Sequence, residues 1–170
     1  MATKKKEEKT LADLFEHGLK DIYYAEKKIL TALPKMAKAA ETEELTAAFQ
    51  KHEKETKGQV ERLERVFQMM DQSAKGKKCP GIDGLIEEGK DIIDEFKKTP
   101  ALDAGLIAAA QAVEHYEITR YGTLIAWAQK LGMSDAAELL QETLDEEKAT
   151  DQTLTELAES AVNEYAEAAE

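Results

Sequence analysis

The sequence predicts an all-α fold, a bundle of four long helices, from its composition and from the spacing of its apolar residues. The strong helix formers Ala, Leu, Glu and Lys dominate the 170 residues, which include only 3 prolines and 9 glycines. Charged residues make up 34% of the chain, as expected for long helices with solvated outer faces. Apolar residues recur at steps of three and four along four segments, a period that places them on one face of a helix.

The first two segments are expected to form a helical hairpin. The first helix should run from Leu11 to Ala40, with Thr10 as its N-cap and a kink at Pro34. The second should begin after Thr42 and end near Met70. Because the turn between them is short, the two helices must be antiparallel neighbours.

The last two segments are expected to form a second hairpin. One helix should span about Leu102 to Leu131, where Gly132 provides a C-terminal stop. Ser134 should then cap a helix from about Asp135 to Asn163. The two hairpins together supply the four long helices of the bundle.

A longer link, about residues 71–101, separates the two hairpins. It should contain a loop around Cys79-Pro80-Gly81 and a shorter fifth helix from Ile82 to Lys98. A link of this length can cross the bundle from end to end, which is the ferritin-like connection. We therefore expect one ferritin-like domain over residues 10–163, preceded by a flexible N-terminal arm (1–9) and followed by a C-terminal tail (164–170).

The charge and the cysteine content limit the classes of partner and the cellular compartment that we expect for the chain. The formal net charge is −12, from 23 basic and 35 acidic residues, which opposes binding to nucleic acid. The single cysteine, Cys79, excludes an intramolecular disulfide framework and suits a reducing cytosol. With no secretory signal and no apolar run long enough to span a membrane, we expect a cytoplasmic protein that binds no membrane.

Acidic residues interrupt the apolar stripe of every long helix near its midpoint. Glu26, for example, lies seven residues from both Leu19 and Leu33, and so shares their face. The candidate metal ligands found in this way are Glu26 on the first helix, His52 and Glu55 on the second, Glu114 and Glu117 on the third, and Glu147 and Asp151 on the fourth.

These six carboxylates would repel one another strongly at one level of a core, so something must neutralise them. Two divalent metal ions would do so, because they take oxygen and imidazole ligands and a four-helix bundle brings such ligands together. The main alternative is an ion-pair network with Arg62, seven after Glu55, or Arg120, three after Glu117. Four nearby tyrosines either bond to ligands, relay electrons or pack against the core: Tyr23, Tyr24, Tyr116 and Tyr121.

Several stretches resemble a known family over nearly the whole chain. The more specific ones are Val113-Glu-His-Tyr-Glu-Ile118 and Glu146-Glu-Lys-Ala-Thr-Asp151, and others are Asp21-Ile-Tyr-Tyr-Ala-Glu-Lys-Lys28, Glu55-Thr-Lys-Gly-Gln-Val-Glu-Arg62 and Gly84-Leu-Ile-Glu-Glu88. They are similar to the YciE/YciF family of bacterial stress-associated, ferritin-like proteins. This resemblance implies a rubrerythrin-like bundle, a homodimer and a di-iron centre held by the seven residues named above.

The chain departs from the usual di-iron pattern, which has Glu-x-x-His on two helices. Here the second helix reads His52-x-x-Glu55, in reversed order, and the fourth helix contributes no histidine. Such a carboxylate-rich set favours hard ions, with iron as the first expectation and manganese as the second.

Three functions follow as hypotheses. The first is a di-iron or di-manganese protein that reduces dioxygen or peroxide, or oxidises ferrous iron, under stress. The second is a non-enzymatic stress or interaction protein that kept the bundle and lost its metal chemistry. The third is an iron-storage cage or a DNA-protecting dodecamer, and the acidic net charge opposes the DNA binding that the dodecamer requires.

Overall fold

The structure, a computed structural model, describes residues 8–168, so most of the predicted N-terminal arm lies outside it. The described chain is helical, as predicted. Its helices are α1 (Leu11–Ala39), α2 (Glu43–Met69), α3 (Pro80–Phe96), α4 (Leu102–Lys130), α5 (Ser134–Leu157), a π-helical turn (Ala158–Val162) and α6 (Asn163–Glu167). Within residues 8–168, no helix is long and apolar enough to cross a membrane.

The first hairpin begins at the predicted cap. The Asp13 N–H donates to Thr10 Oγ1 at 3.2 Å, and the Thr10 N–H donates to Asp13 Oδ2 at 2.8 Å. This reciprocal pair satisfies two backbone donors that a helix start leaves free. The helix then continues through Pro34 to Ala39. Tyr23 bonds to Glu64 while Thr46 lies beside Ala37, so α1 and α2 are antiparallel.

The second hairpin turns at Gly132, as predicted. Gly132 has a φ of +73°, a left-handed conformation that glycine adopts without strain. The Met133 N–H donates to Ala128 O at 2.9 Å and closes the end of α4. The prediction that Ser134 caps α5 is wrong, because Ser134 is itself the first helical residue and Met133 precedes it without a side-chain cap bond. The backbone bonds of this turn, rather than a capping side chain, set the start of α5.

The link between the hairpins runs from one end of the bundle to the other. Near the start of α1, the Lys77 N–H donates to Lys20 O at 3.0 Å. At the opposite end, Asp103 accepts bonds from the N–H groups of Glu41 and Thr42 at 2.8 and 2.9 Å. Because α4 therefore begins beside the α1–α2 turn, the connection is the predicted ferritin-like one.

The fifth helix, α3, lies against the outside of α4 and α1. Close packing depends on Gly105, where an added Cβ would lie only 2.7 Å from Ile92 Cγ2. The predicted range of this helix, Ile82–Lys98, is shifted by two residues at each end. It begins at Pro80 because proline suits the first helical position, which an apolar stripe does not reveal.

The four long helices form a ring in which α1 contacts α2 and α4, and α5 contacts the same two neighbours. The last of them was expected to end near Asn163, with a tail from residue 164. Instead the helical backbone continues through the π-helical turn into α6 and ends at Glu167. Residues 163–167 contain neither glycine nor proline, so nothing local stops the helix.

Candidate metal centre

Four acidic side chains and one histidine are buried at the middle of the bundle. Glu26, Glu117 and Glu147 are fully buried, while Glu114 is 2% and His52 is 3% exposed. They come from α1, α2, α4 and α5, so all four long helices contribute. Each occupies the core-facing stripe of its helix, since neighbouring turns of that stripe are filled by leucine, isoleucine and phenylalanine.

Four of these side chains meet at one point. His52, Glu114, Glu117 and Glu147 each offer one nitrogen or oxygen ligand atom, and these atoms all lie within 4.8 Å of one another. Glu114 and Glu117 are three residues apart on α4 and therefore share a face. His52 Nε2 lies 3.2 Å from Glu114 Oε1.

Glu26 lies beside this group and is fixed by a tyrosine. The fully buried Tyr121 hydroxyl donates a hydrogen bond to Glu26 Oε1, while Glu26 Oε2 has no partner. Of the four tyrosines considered above, Tyr121 is therefore the one that bonds to a candidate ligand. The others donate to acids elsewhere: Tyr23 to Glu64, Tyr24 to Asp83 and Tyr116 to Asp21.

The remaining two candidates, Glu55 and Asp151, lie at the rim of the centre with side chains 23% exposed. Glu55 Oε1 pairs with Lys51 Nζ at 2.9 Å, although Glu55 Oε2 is buried and has no partner. Asp151 accepts a bond from Gln111 Nε2 at 3.1 Å and lies 3.3 Å from His115 Nε2. The structure thus brings five of the seven candidates into the core and leaves two at its edge.

Burial shifts the protonation of the whole group. It raises the pKa of Glu26, Glu117 and Glu147 well above the usual range, and repulsion between these carboxylates adds to the effect. It also raises the pKa of Glu114 to about 8 and lowers the pKa of His52 to about 4. Without a cation, burial therefore favours the protonated form of these carboxyl groups.

The buried oxygens lack protein partners, which is the property that a metal site requires. Buried atoms without a hydrogen-bond partner include both carboxylate oxygens of Glu117 and of Glu147, and one oxygen each of Glu26, Glu55 and Glu114. Native proteins rarely leave buried polar atoms unpaired unless an ion or water binds them. The carboxylate and imidazole donors therefore fit a hard divalent cation.

The two arginines that were the alternative partners bond elsewhere. Arg62 pairs with Glu146 and lies 3.2 Å from Glu142, while its Nη1 donates to Thr143 at 3.0 Å. Arg120 lies 3.8 Å from Asp21 and stacks over the ring of Tyr116. Within residues 8–168, no arginine or lysine pairs with the five buried candidates. The alternative hypothesis, that an ion-pair network neutralises the buried carboxylates, is therefore wrong.

Sequence reasoning gave no role to two buried polar residues that adjoin the centre. Gln59 is fully buried and donates to Glu146 at 3.1 Å, which links it to the Arg62 pair. The Thr150 hydroxyl lies 3.5 Å from His52 Nδ1, on the far side of the imidazole from Glu114. The sequence spacing could have indicated both residues, because Gln59 lies seven residues after His52 and Thr150 lies three residues after Glu147.

Comparison with known proteins connects this centre to a family. A family model described as Domain of unknown function (DUF892) matches residues 10–167. Protein YciF of Escherichia coli (strain K12) is 50% identical over 160 residues, covering 94% of this chain and 96% of YciF. The crystal structure described as that of the E. coli stress protein YciF matches with a TM-score of 0.87 at 50% identity, covering 92% of this chain and 99% of that one. The Rhodopseudomonas palustris protein YcfI matches with a TM-score of 0.84 at 49% identity, covering 86% of this chain and 94% of that one.

Proposed function

Since this chain belongs to the DUF892 family and resembles YciF, as its sequence motifs predicted, we propose its function from the buried centre: it is a di-metal carboxylate protein. Iron is the first expectation for the metal and manganese the second. The activity would be reduction of dioxygen or peroxide, or oxidation of ferrous iron with one of these as the oxidant. The description of YciF as a stress protein supports a stress-related role for this chain.

The observation that carries this proposal is the set of buried carboxylate oxygens with no protein partner. Glu117 and Glu147 are fully buried at the meeting point of the ligand atoms. Together with His52, Glu114 and Glu26, they would hold the ions. Two divalent ions would supply four positive charges, which would offset the ionised carboxylates in a low-dielectric core.

When bound, iron or manganese would supply the electrons for reaction with an oxidant. The protein residues would supply the surroundings for that chemistry. Tyr121 fixes the orientation of Glu26 through its hydrogen bond, and Thr150 lies within reach of His52 Nδ1. Contacts to the other side of a ligand commonly set its orientation and basicity.

Anaerobic loading with ferrous iron, followed by removal of free metal and elemental analysis, tests the proposal. We expect about two ions per chain, a greatly reduced content in Glu117→Gln, and a content close to wild type in Glu146→Gln. The second variant is a matched control because Glu146 pairs with Arg62 outside the meeting point. Metal content near zero, or equal loss in both variants, would contradict the proposal.

A non-enzymatic stress or interaction role is a second candidate, and the position of Glu55 and Asp151 favours it. Both acids are paired with other side chains at the rim, so fewer free ligands remain than in the full predicted set. This role requires that Glu26→Ala combined with Glu117→Ala leave the cellular phenotype unchanged. A clear loss of stress resistance in that double variant would exclude it.

We also propose that the protein is cytoplasmic and forms a homodimer, as the family resemblance implies. Light scattering of the purified chain would measure its mass in solution. A mass of one chain would contradict the dimer, and a much larger mass would favour an iron-storage cage.

A further inference from the structure

The bundle is filled unevenly on the two sides of the metal centre. On one side, Tyr121 and Gln59 are fully buried and fill the core. On the other side, towards the α1–α2 turn, a cavity of about 200 Å³ remains. Residues with small or no side chains border this cavity on four helices, namely Ala32 on α1, Ala48 on α2, Gly89 on α3, and Ala109 and Ala110 on α4.

The cavity is a pocket that opens to solvent, since the lysines at its rim are exposed. Its inner part lies between the helices, and its lining includes the buried side chains of His52 and Glu114. Larger side chains at the alanine positions would fill the space. A cavity that a fold maintains beside its candidate reactive groups is the usual form of a small-molecule site.

The walls of the cavity are mostly apolar and its floor is polar. Ile29, Leu33, Phe49 and Leu154 line the walls. At the floor lie His52 and Glu114, both more than nine-tenths buried, with His52 Nε2 and Glu114 Oε2 lacking hydrogen-bond partners. Three of the candidate metal ligands therefore line the cavity, since the partly exposed Glu55 borders it as well.

The rim of the cavity argues for an uncharged occupant. Three of its four lysines are already paired with acids, namely Lys28 with Asp83, Lys51 with Glu55 and Lys90 with Glu87. Their charges are therefore largely compensated before any ligand binds. An apolar cavity of about 150 Å³ is large enough for benzene, so this one suits a molecule somewhat larger.

We propose that this cavity binds a small, uncharged organic molecule, mostly apolar with one polar group, and holds it against His52 and Glu114. The apolar part lies between the four helices and α3, and the polar group reaches the floor. This inference deepens the proposed function, on which it rests for its chemistry, because it assigns a class of organic substrate to the metal centre.

Calorimetric titration of the full-length, metal-free protein with linear primary alcohols, from butanol to decanol, tests the inference. We expect affinity to rise about fourfold with each methylene until the cavity is full, and then to stop rising. Ala110→Leu should abolish binding because its side chain would occupy the cavity. Ala108→Leu, on the exposed face of the same helix and outside the lining, should bind as wild type does.

A second cavity-filling variant, Ala48→Leu on α2, gives the same test should Ala110→Leu fail to fold. Absence of saturable binding would overturn the inference, and so would equal affinity in the filled variants and in Ala108→Leu. Affinity that keeps rising with chain length would place the alcohols on an outer surface or between copies of the chain, and would overturn it too.

Metal uptake by the same samples separates the two proposals. Normal uptake of ferrous iron without alcohol binding would overturn only the cavity inference. Saturable alcohol binding that the filled variants lose, in a protein that takes up no metal, would overturn only the metal function.

Discussion

His52 Nε2 lies 3.2 Å from Glu114 Oε1 in the core of the bundle, yet the two side chains are not an ion pair at neutral pH. Burial lowers the pKa of His52 to about 4, so the imidazole is neutral. It raises the pKa of Glu114 to about 8, so the carboxyl group is protonated. Since a metal ligand must be deprotonated, a cation that binds here has to displace the proton of Glu114.

Metal binding is therefore expected to release protons at pH 7 and to tighten as the pH rises towards 8. The released protons come from Glu114 and from Glu26, Glu117 and Glu147, whose pKa values burial also raises. Calorimetry of manganese binding in buffers of different ionisation enthalpy measures the number released. The control variant Glu146→Gln should release the same number of protons when it binds manganese. A binding enthalpy that does not depend on the buffer would show that the carboxylates were already ionised, and would contradict the prediction.

The stability of the metal-free protein should fall as the pH rises from 6.5 to 8. Glu114 titrates near 4.5 when unfolded and near 8 when folded, so the folded state holds more protons over that interval and loses stability as they dissociate. His52 acts in the opposite direction, but only between its folded pKa of about 4 and its unfolded value of 6.5. Above pH 6.5 the carboxyl groups alone determine whether the stability rises or falls with pH.

Urea denaturation at several pH values measures this effect. Each carboxylate contributes a slope of up to about 1.4 kcal/mol per pH unit, and Glu114→Gln should flatten the slope by about one such contribution. Saturating metal should remove the decline, because bound cations keep the carboxylates ionised in the folded state. A metal-free protein with equal stability at both ends of the interval would contradict the prediction.

The fold was predictable because its determinants are local in sequence. The apolar stripes gave four helices, and the ends at Thr10 and Gly132 follow from side-chain capping and from a left-handed glycine. The predicted helix starts were wrong where backbone hydrogen bonds or proline geometry determine the first helical residue, as at Ser134 in α5 and at Pro80 in α3. The prediction that the link runs from one end of the bundle to the other followed from its length alone.

The centre was only partly predictable, because a stripe shows which face a residue occupies but not what it meets. Glu26 and Glu147 lie on core-facing stripes, and the structure buries both. Asp151 has an equally good position in sequence, but Gln111 and His115 from another helix hold it at the rim. The cavity could not be foreseen, because it depends on how small residues of four helices face one another.

Arg62→Met should destabilise the protein without lowering its metal content. The Arg62 side chain is 17% exposed and bonds to Glu146 and Thr143 across the α2–α5 interface. Loss of its charged hydrogen bonds should cost about 1–3 kcal/mol, measured by urea denaturation. Arg65→Met, on the exposed face of the same helix, should have little effect. A marked fall in metal content with Arg62→Met would instead make this ion pair part of the centre.

Asp103→Ala should weaken the attachment of the link to the α1–α2 turn. The Asp103 side chain is 5% exposed and accepts three bonds, from the N–H groups of Glu41 and Thr42 and from the Thr42 hydroxyl. Alanine would leave these donors unpaired and remove a negative charge from the start of α2, at a cost of about 3 kcal/mol. The amide hydrogens of Glu41 and Thr42 should also exchange faster, because they lose their acceptor. Asp94→Ala, at an exposed position of α3, is the matched control. If both changes lowered the stability equally little, packing of α3 and α4, rather than Asp103, would fix this end of the link.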